Sequence, residues 1–326
     1  LYPAKALIQD QLIKWRSFLE PLGFTVEYID GAVPPENRPG IIKHGRVILM
    51  TPDVAHAWLM SHLQQTEVRD FTSNLHMIIL DEVHVYEGVF GTNMAYFLRR
   101  LIAVSNVEKL ITSTATMGGP DYFIEQLTGR KPVVLTKDDD GSPSPMKTVF
   151  LLQANTRKLL EDLANLILSM ARAKVGRFIA FADSRKIVEH LVAITKRIKK
   201  DSFESDESNE EPGDLNSEEI FSDENHNILP YRAGYEEEDR YAIQASLARG
   251  DLIGVVSTSA LELGLDIGDI DIVLMLGTPP SVKAFWQRIG RAGRRTNGYC
   301  LIVDDRETIV SLPNCLSDYL NKSPET

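Results

Sequence analysis

The chain has 326 residues, about two domains at roughly 150 residues each. It is 43% hydrophobic and 25% charged, as globular proteins are, and no 18-residue stretch lacks a charge, which excludes a membrane-spanning helix. The first residues lack the apolar run of a secretory signal. Two cysteines, Cys300 and Cys315, cannot build a disulfide scaffold or a four-thiolate zinc site, so a reducing cytoplasmic setting is expected.

The net charge of −11 is concentrated in one place. Between Asp201 and Glu224 lie eleven acidic residues and no Lys or Arg, so the remainder of the chain is balanced. This segment, rich in Ser, Asn, Glu and Asp, cannot bury enough apolar surface to offset the entropy of ordering. It is expected to be a solvated, disordered insertion at 201–224, with a role in binding a protein partner as the alternative.

In chain order, short β-rich apolar runs alternate with helix-period segments. The strands predicted are 46–50, 76–80, 110–114, 133–136, 148–152, 177–181, 253–257, 272–276 and 299–303. The helices predicted between them include 7–19, 92–104, 157–173, 185–199 and 236–248. Nearly all-apolar strands separated by helices indicate α/β domains with parallel sheets covered on both faces. Lys137 to Pro145 reads KDDDGSPSP, a polar linker, after which the pattern restarts. Two tandem α/β domains follow, at 1–140 and 146–326. Ligands are expected where strand C-termini meet loops.

The run His76-Met-Ile-Ile-Leu80 leads directly into Asp81-Glu82-Val83-His84. Paired carboxylates at a strand tip suit phosphate hydrolysis, one to hold Mg²⁺ and the next to activate water. A second strand ends in Thr114-Ala115-Thr116, small hydroxyl residues beside those acids. Further on, Thr258-Ser-Ala-Leu-Glu-Leu-Gly-Leu-Asp266 offers Gly264 for close backbone approach and Asp266 for a ribose hydroxyl. The segment Gln287-Arg-Ile-Gly-Arg-Ala-Gly-Arg294 interleaves glycines with guanidinium forks, which bind phosphate oxygens bidentately. A basic surface helix would not explain Gly290 and Gly293, which cost helix stability.

DEVH, TAT, TSALELGLD and QRIGRAGR, in this order, resemble the motifs of the DExH-box branch of superfamily 2 helicases. Pro3-Ala-Lys-Ala-Leu7, Thr51-Pro-Asp53, Phe181-Ala-Asp-Ser-Arg185 and Tyr231-Arg-Ala-Gly234 resemble further motifs of that family. Within it, YPAKALIQDQL and DEVHVYEGVFGTNMAYFLRRL are most similar to the mitomycin-repair type of 3′-to-5′ DNA helicases. The resemblance implies two tandem RecA-like domains that bind ATP and Mg²⁺ and move along single-stranded or partly duplex nucleic acid. DNA is favoured over RNA, and the site would be cytoplasmic, nucleoid-associated in a bacterium.

By position, the resemblance makes Asp81 the Mg²⁺ ligand and Glu82 the water-activating base. His84, Thr114 and Thr116 would couple the ATP site to the strand. Arg291 and Arg294 would be arginine fingers, with Gln287 near the nucleotide and Gly264 and Asp266 at its ribose. Lys5, Thr51 and Thr258 would contact the strand backbone. One departure stands out: no G-x-x-x-x-G-K-[ST] phosphate loop occurs in these residues. The chain is therefore expected to be a truncated piece of a larger helicase, with little ATPase activity alone. An RNA helicase, or a non-catalytic binding module without the phosphate loop, are the alternatives.

Overall fold

A computed structural model describes residues 1–114, 117–143, 145–153, 159–203, 228–231, 237–258, 270–304, 309 and 311–322. The chain forms two compact units, Leu1–Asp140 and Gly141–Glu325, whose boundary falls within the polar KDDDGSPSP segment.

In the first unit, helix α1 (Lys5–Leu19) buries Leu7, Ile8 and Leu12, spaced to share one face. Strand β1 (Val26–Ile29) follows, then α2 (Arg38–His44), and β2 (Val47–Met50) pairs with β1 in parallel. Helices α3 (Pro52–Ala57) and α4 (Thr66–Ser73) lead to β3 (Met77–Leu80). Helix α5 (Gly88–Ala103) returns the chain to β4 (Lys109–Thr112), parallel to β3, and α6 (Pro120–Thr128) closes the unit.

Leu1 and Tyr2 lie between the two strand pairs. The Leu1 nitrogen donates to the Ile79 carbonyl at 2.5 Å, the Asp81 N–H donates to the Leu1 carbonyl, and the Tyr2 N–H donates to the Met50 carbonyl. Ile29, Met50, Ile78 and Leu80 meet Met94, Phe97, Leu98 and Leu101 of α5 in one core. The i, i+3, i+4, i+7 spacing of those four α5 residues makes the packing stripe.

The second unit is built on a six-stranded sheet. Its strands are β5 (Lys147–Gln153), β6 (Phe178–Ala182), β7 (Ile228–Tyr231), β8 (Gly254–Ser257), β9 (Ile272–Leu276) and β10 (Gly298–Asp304). All pairings are parallel, in the order β5-β10-β9-β6-β8-β7. Every residue of β6 and β8 is buried, as their apolar sequences require of strands with both faces covered. Helices α7 (Leu159–Ala173) and α8 (Arg185–Phe203) pack Leu163, Ile167, Val188 and Leu191 onto it. Helices α9 (Glu237–Arg249), α10 (Val282–Ile289) and α11 (Leu316–Leu320) complete the described elements.

One predicted strand is absent, and two strands went unpredicted. The run 133–136 is not a strand: Val133 is 92% and Leu135 81% exposed, and a β-rich segment stays irregular where no neighbouring backbone pairs with it. Strand β7 was hidden by Pro230, which lacks an N–H; the sheet tolerates it because β7 is an edge. Strand β1 was missed because its four residues, Val-Glu-Tyr-Ile, make too short a run. Helix α8 runs to Phe203, three residues into the expected insertion, whose remaining positions lie outside the described residues.

Gly91 tests how closely α5 approaches the β3 loop. A Cβ there would lie 2.0 Å from the Tyr86 carbonyl oxygen and 2.6 Å from its carbon, both rigid backbone. Gly91→Ala is expected to destabilise the first unit by about 1–3 kcal/mol in chemical denaturation, because neither atom has room to yield.

Candidate functional site

The tip of β3 carries the acids. Asp81 Oδ1 accepts the Glu82 N–H at 2.9 Å and also the Ser113 hydroxyl. Backbone bonds lace the same two loops: Ser113 N–H to the Leu80 carbonyl at 2.9 Å, and Val83 N–H to the Ser113 carbonyl at 3.0 Å. The β3 and β4 tips therefore form one unit. Asp81 Oδ2 makes no hydrogen bond among the described residues. An unengaged carboxylate oxygen at a strand tip is a hard donor of the kind Mg²⁺ takes.

Glu82 has φ 50° and ψ 45°, a left-handed conformation that costs a non-glycine residue on the order of 1–3 kcal/mol. The turn folds the Glu82 carboxylate back onto His84, with Oε2 3.2 Å from Nδ1. The same nitrogen lies 3.4 Å from the Thr114 hydroxyl. His84 is 3% exposed, so its ring is held between a carboxylate and a hydroxyl from two different strand tips. Asp81, Glu82, His84 and Thr114 are thus brought together; Thr116 lies outside the described residues.

Tyr86 follows, with its ring buried and its hydroxyl meeting no partner among the described residues. Burial first, and then the negative charges of Asp81 and Asp53, push its ionisation far above the ordinary tyrosine range. It remains a neutral donor at any working pH.

Thr51 ends β2 and opens α3; it is buried, and its hydroxyl does not cap that helix. Lys5 is exposed at the start of α1, where its ammonium lies 3.4 Å from the place a Cβ would take on Gly31.

In the second unit, Thr258 follows β8, half-buried, and its carbonyl accepts the Ser257 hydroxyl at 3.0 Å. Gly264 and Asp266 lie outside the described residues. Helix α10 opens with Ser281, whose hydroxyl accepts the Ala284 N–H at 3.0 Å. It ends at Ile289, so Gly290 caps the helix and does not interrupt it. Gly293 has φ 66°, and a Cβ there would meet the Gly298 nitrogen at 2.8 Å, which gives this glycine a packing reason of its own.

The arginines are not equivalent. Arg294 is exposed, whereas Arg291 is 6% exposed. The Arg291 N–H donates to the Arg288 carbonyl and the Ala292 N–H to the Ile289 carbonyl, so the turn continues past α10 and keeps Arg291 packed. Gln287 is half-buried.

Three residues escaped the sequence reading. Ser113 stands one position before the TAT run, and its pairing with Asp81 depends on β3 lying beside β4. Tyr86 had no motif to mark it. Arg288 is 2% exposed, its guanidinium 5.3 Å from the Phe181 ring centroid and 3.8 Å from the Asp183 carboxylate. Its spacing from Phe285, Ile289 and Ala292 on one helical face was the available signal.

Residues 1–122 match the DEAD/DEAH box helicase family, and residues 158–296 match the helicase conserved C-terminal domain. The ATP-dependent helicase YprA of Bacillus subtilis is 33% identical over 100% of this chain and 41% of its own length. The chain belongs to the superfamily 2 helicases. ATP-dependent helicase HRQ1 of Saccharomyces cerevisiae is 31% identical, over 93% of this chain and 28% of its own length. The structure of the helicase MrfA bound to DNA superposes with a TM-score of 0.84 at 31% identity, covering 100% of this chain and 42% of that one. A second MrfA structure, bound to DNA and AMPPNP, gives 0.83 at 30% identity, with 100% and 44% covered. These relatives agree with the narrower mitomycin-repair resemblance, and the two tandem parallel-sheet units are RecA-like. The chain spans less than half the length of these relatives.

The two thiols differ sharply. Burial pushes Cys300 up to about 12, with the nearby Lys147 charge opposing in part, while Cys315 is exposed. Iodoacetamide at pH 8 is expected to modify Cys315 and spare Cys300 in the folded chain, read by peptide mass spectrometry. Equal labelling would contradict the burial of β10.

Proposed function

We propose that this chain is the motor core of an ATP-dependent helicase acting on DNA, in which both units work on one nucleotide. The observation that supports this most is the cluster of Asp81, Glu82, Ser113, Thr114 and His84, which joins two acids to two hydroxyls and a buried imidazole. MrfA, similar over the whole chain, is known bound to DNA and AMPPNP, which favours DNA as the strand and a nucleoside triphosphate as fuel. Among the described residues no helix is long and apolar enough to cross a membrane.

In this reading Asp81 would hold Mg²⁺, while its Oδ1 accepts from the Ser113 hydroxyl and the Glu82 N–H. The ion, when bound, would neutralise charge on the terminal phosphates. Glu82 orients and deprotonates the attacking water. Its contact with His84, and the contact of His84 with Thr114, passes any shift of the acid to the β4 loop, where Thr116 continues the same run. Arg294 and Arg291 supply cationic forks to the charge that develops on the transferred phosphoryl group. Gln287 would steady the nucleotide, with Gly264 and Asp266 at its ribose. Lys5, Thr51 and Thr258 would grip the backbone of the strand, which carries no sequence information. The expected substrate is therefore single-stranded DNA of any sequence, held in a salt-dependent way.

Glu82→Gln in the whole protein is expected to lower turnover by roughly a hundredfold or more with nucleotide binding preserved. Normal turnover in that variant would remove Glu82 from its role. Ser113→Ala is expected to lower turnover about tenfold and to raise the Mg²⁺ concentration needed for half-maximal rate, because Asp81 loses a charge-assisted hydrogen bond. Ser113→Thr should restore both quantities, and an unchanged Mg²⁺ requirement in the alanine variant would count against Ser113 as a positioning residue.

A further inference from the structure

The register of the second sheet decides which face each side chain takes. Phe181 of β6 is level with Met275 of β9, Ile302 of β10 and Leu151 of β5. Two residues back along each strand, Ile179 is level with Val273, Cys300 and Val149. These residues share one face, opposite to that on which Leu274 and Val303 meet α7 and α8. Helix α10 lies on the Phe181 face, because its Arg288 guanidinium is 5.3 Å from the Phe181 ring centroid. Two residues further back along β5 comes Lys147, opposite Gly298 of β10. Lys147 therefore opens β5 on the face that α10 covers.

The chain leaving α10 arrives at the same edge. Ala292 bridges Ile270, just before β9, and a Cβ on Gly293 would lie 2.8 Å from the Gly298 nitrogen. Arg294 begins the turn between those two glycines. Two hydrogen bonds pin that turn to the start of β5. The Met146 N–H donates to Asn297 Oδ1 at 3.1 Å, and the Gly298 N–H donates to the Met146 carbonyl at 2.9 Å. Lys147 is the next residue, so its ammonium and the Arg294 guanidinium occupy one corner of the sheet.

Both side chains reach solvent, and Lys147 makes no hydrogen bond or ion pair among the described residues. Partial burial first, and then the positive charge of Arg294, hold its ammonium below the ordinary lysine range. Asp271, just before β9, does not balance the two cations. Its Oδ2 accepts the Arg177 N–H at 2.8 Å, towards β6, which lies on the other side of β9 from β5. Like charges held side by side repel, and an anion shared between them removes that cost.

We propose that Lys147 is a binding residue for the phosphates of the nucleotide, set beside Arg294 as a second cation on the same triphosphate. The inference rests on the motor reading above, in which Arg294 meets the transferred phosphoryl group. The two cations divide the work by shape. Arg294 is a planar fork that directs hydrogen bonds at developing charge, whereas the Lys147 ammonium is a point charge on a flexible stem. It attracts phosphate in the ground state and the transition state alike, so its loss weakens binding without slowing the chemistry.

The test is ATP hydrolysis by the whole protein, stimulated with oligothymidylate. Lys147→Met keeps an apolar stem and removes the charge. It is expected to raise KM for ATP about tenfold with kcat changed less than about twofold, and Lys147→Arg should recover most of that KM. The oligothymidylate concentration that gives half-maximal rate should stay the same in both variants. Arg294→Ala, run alongside, should lower kcat by roughly a hundredfold or more. An unchanged KM in Lys147→Met, with kcat lost in Arg294→Ala, would overturn the role of Lys147 and leave the motor reading standing. Full kcat in Arg294→Ala would remove that reading's assignment of Arg294 and the proposal with it. A KM rise that Lys147→Arg does not recover would mark a packing defect and overturn the proposal. A raised oligothymidylate requirement at unchanged KM for ATP would overturn it in favour of a phosphate of the strand.

Discussion

The bond between the Ser113 hydroxyl and the Asp81 carboxylate, with the backbone bonds on either side of it, holds the candidate site together. It joins the tips of two parallel strands into one loop system, and three further features depend on it. Asp81 keeps one oxygen, Oδ2, without a hydrogen bond among the described residues. Glu82 is fixed in its left-handed turn and reaches back to His84. Thr114, one residue after Ser113, then falls beside the same imidazole. Were the β3–β4 register displaced by one residue, none of these contacts would survive, because successive side chains point to opposite faces.

The second unit answers with a different device. Its basic motif does not stand free on the surface; it is anchored by Arg288, sunk against Phe181 and Asp183 at the end of β6. Placing a guanidinium on an aromatic face with a carboxylate nearby lets a cation be buried without an isolated charge. The glycines that follow serve the turn. Gly290 ends the helix, and Gly293 lets the chain pass the Gly298 backbone on its way into β10. The motif is thus a helix end, a tight turn and one exposed fork, Arg294.

Several parts of this were legible from residues alone. The apolar runs that became β6, β8 and β9 are buried almost throughout because their residues have no polar face to offer water. The acids after Leu80 marked a strand tip, and the family followed from their order with the later motifs. Other parts were not legible. Val133–Leu135 have the composition of a strand, yet pairing depends on a neighbour that composition cannot supply. Ile228–Tyr231 look unsuited to a sheet until their place at its edge is known.

What the sequence determined by itself was the set of elements and the chemical character of their ends, since both come from local pattern: period, apolar content, and the residue types at each strand tip. What only the tertiary structure decided was which of those ends meet. Ser113 and Asp81 are 32 residues apart and Arg288 and Phe181 more than a hundred, and nothing local signals either contact. The hidden arginine and the satisfied carboxylate oxygen arise from strand order and helix packing. Those are properties of how surfaces fit, which a linear pattern of residue types does not carry.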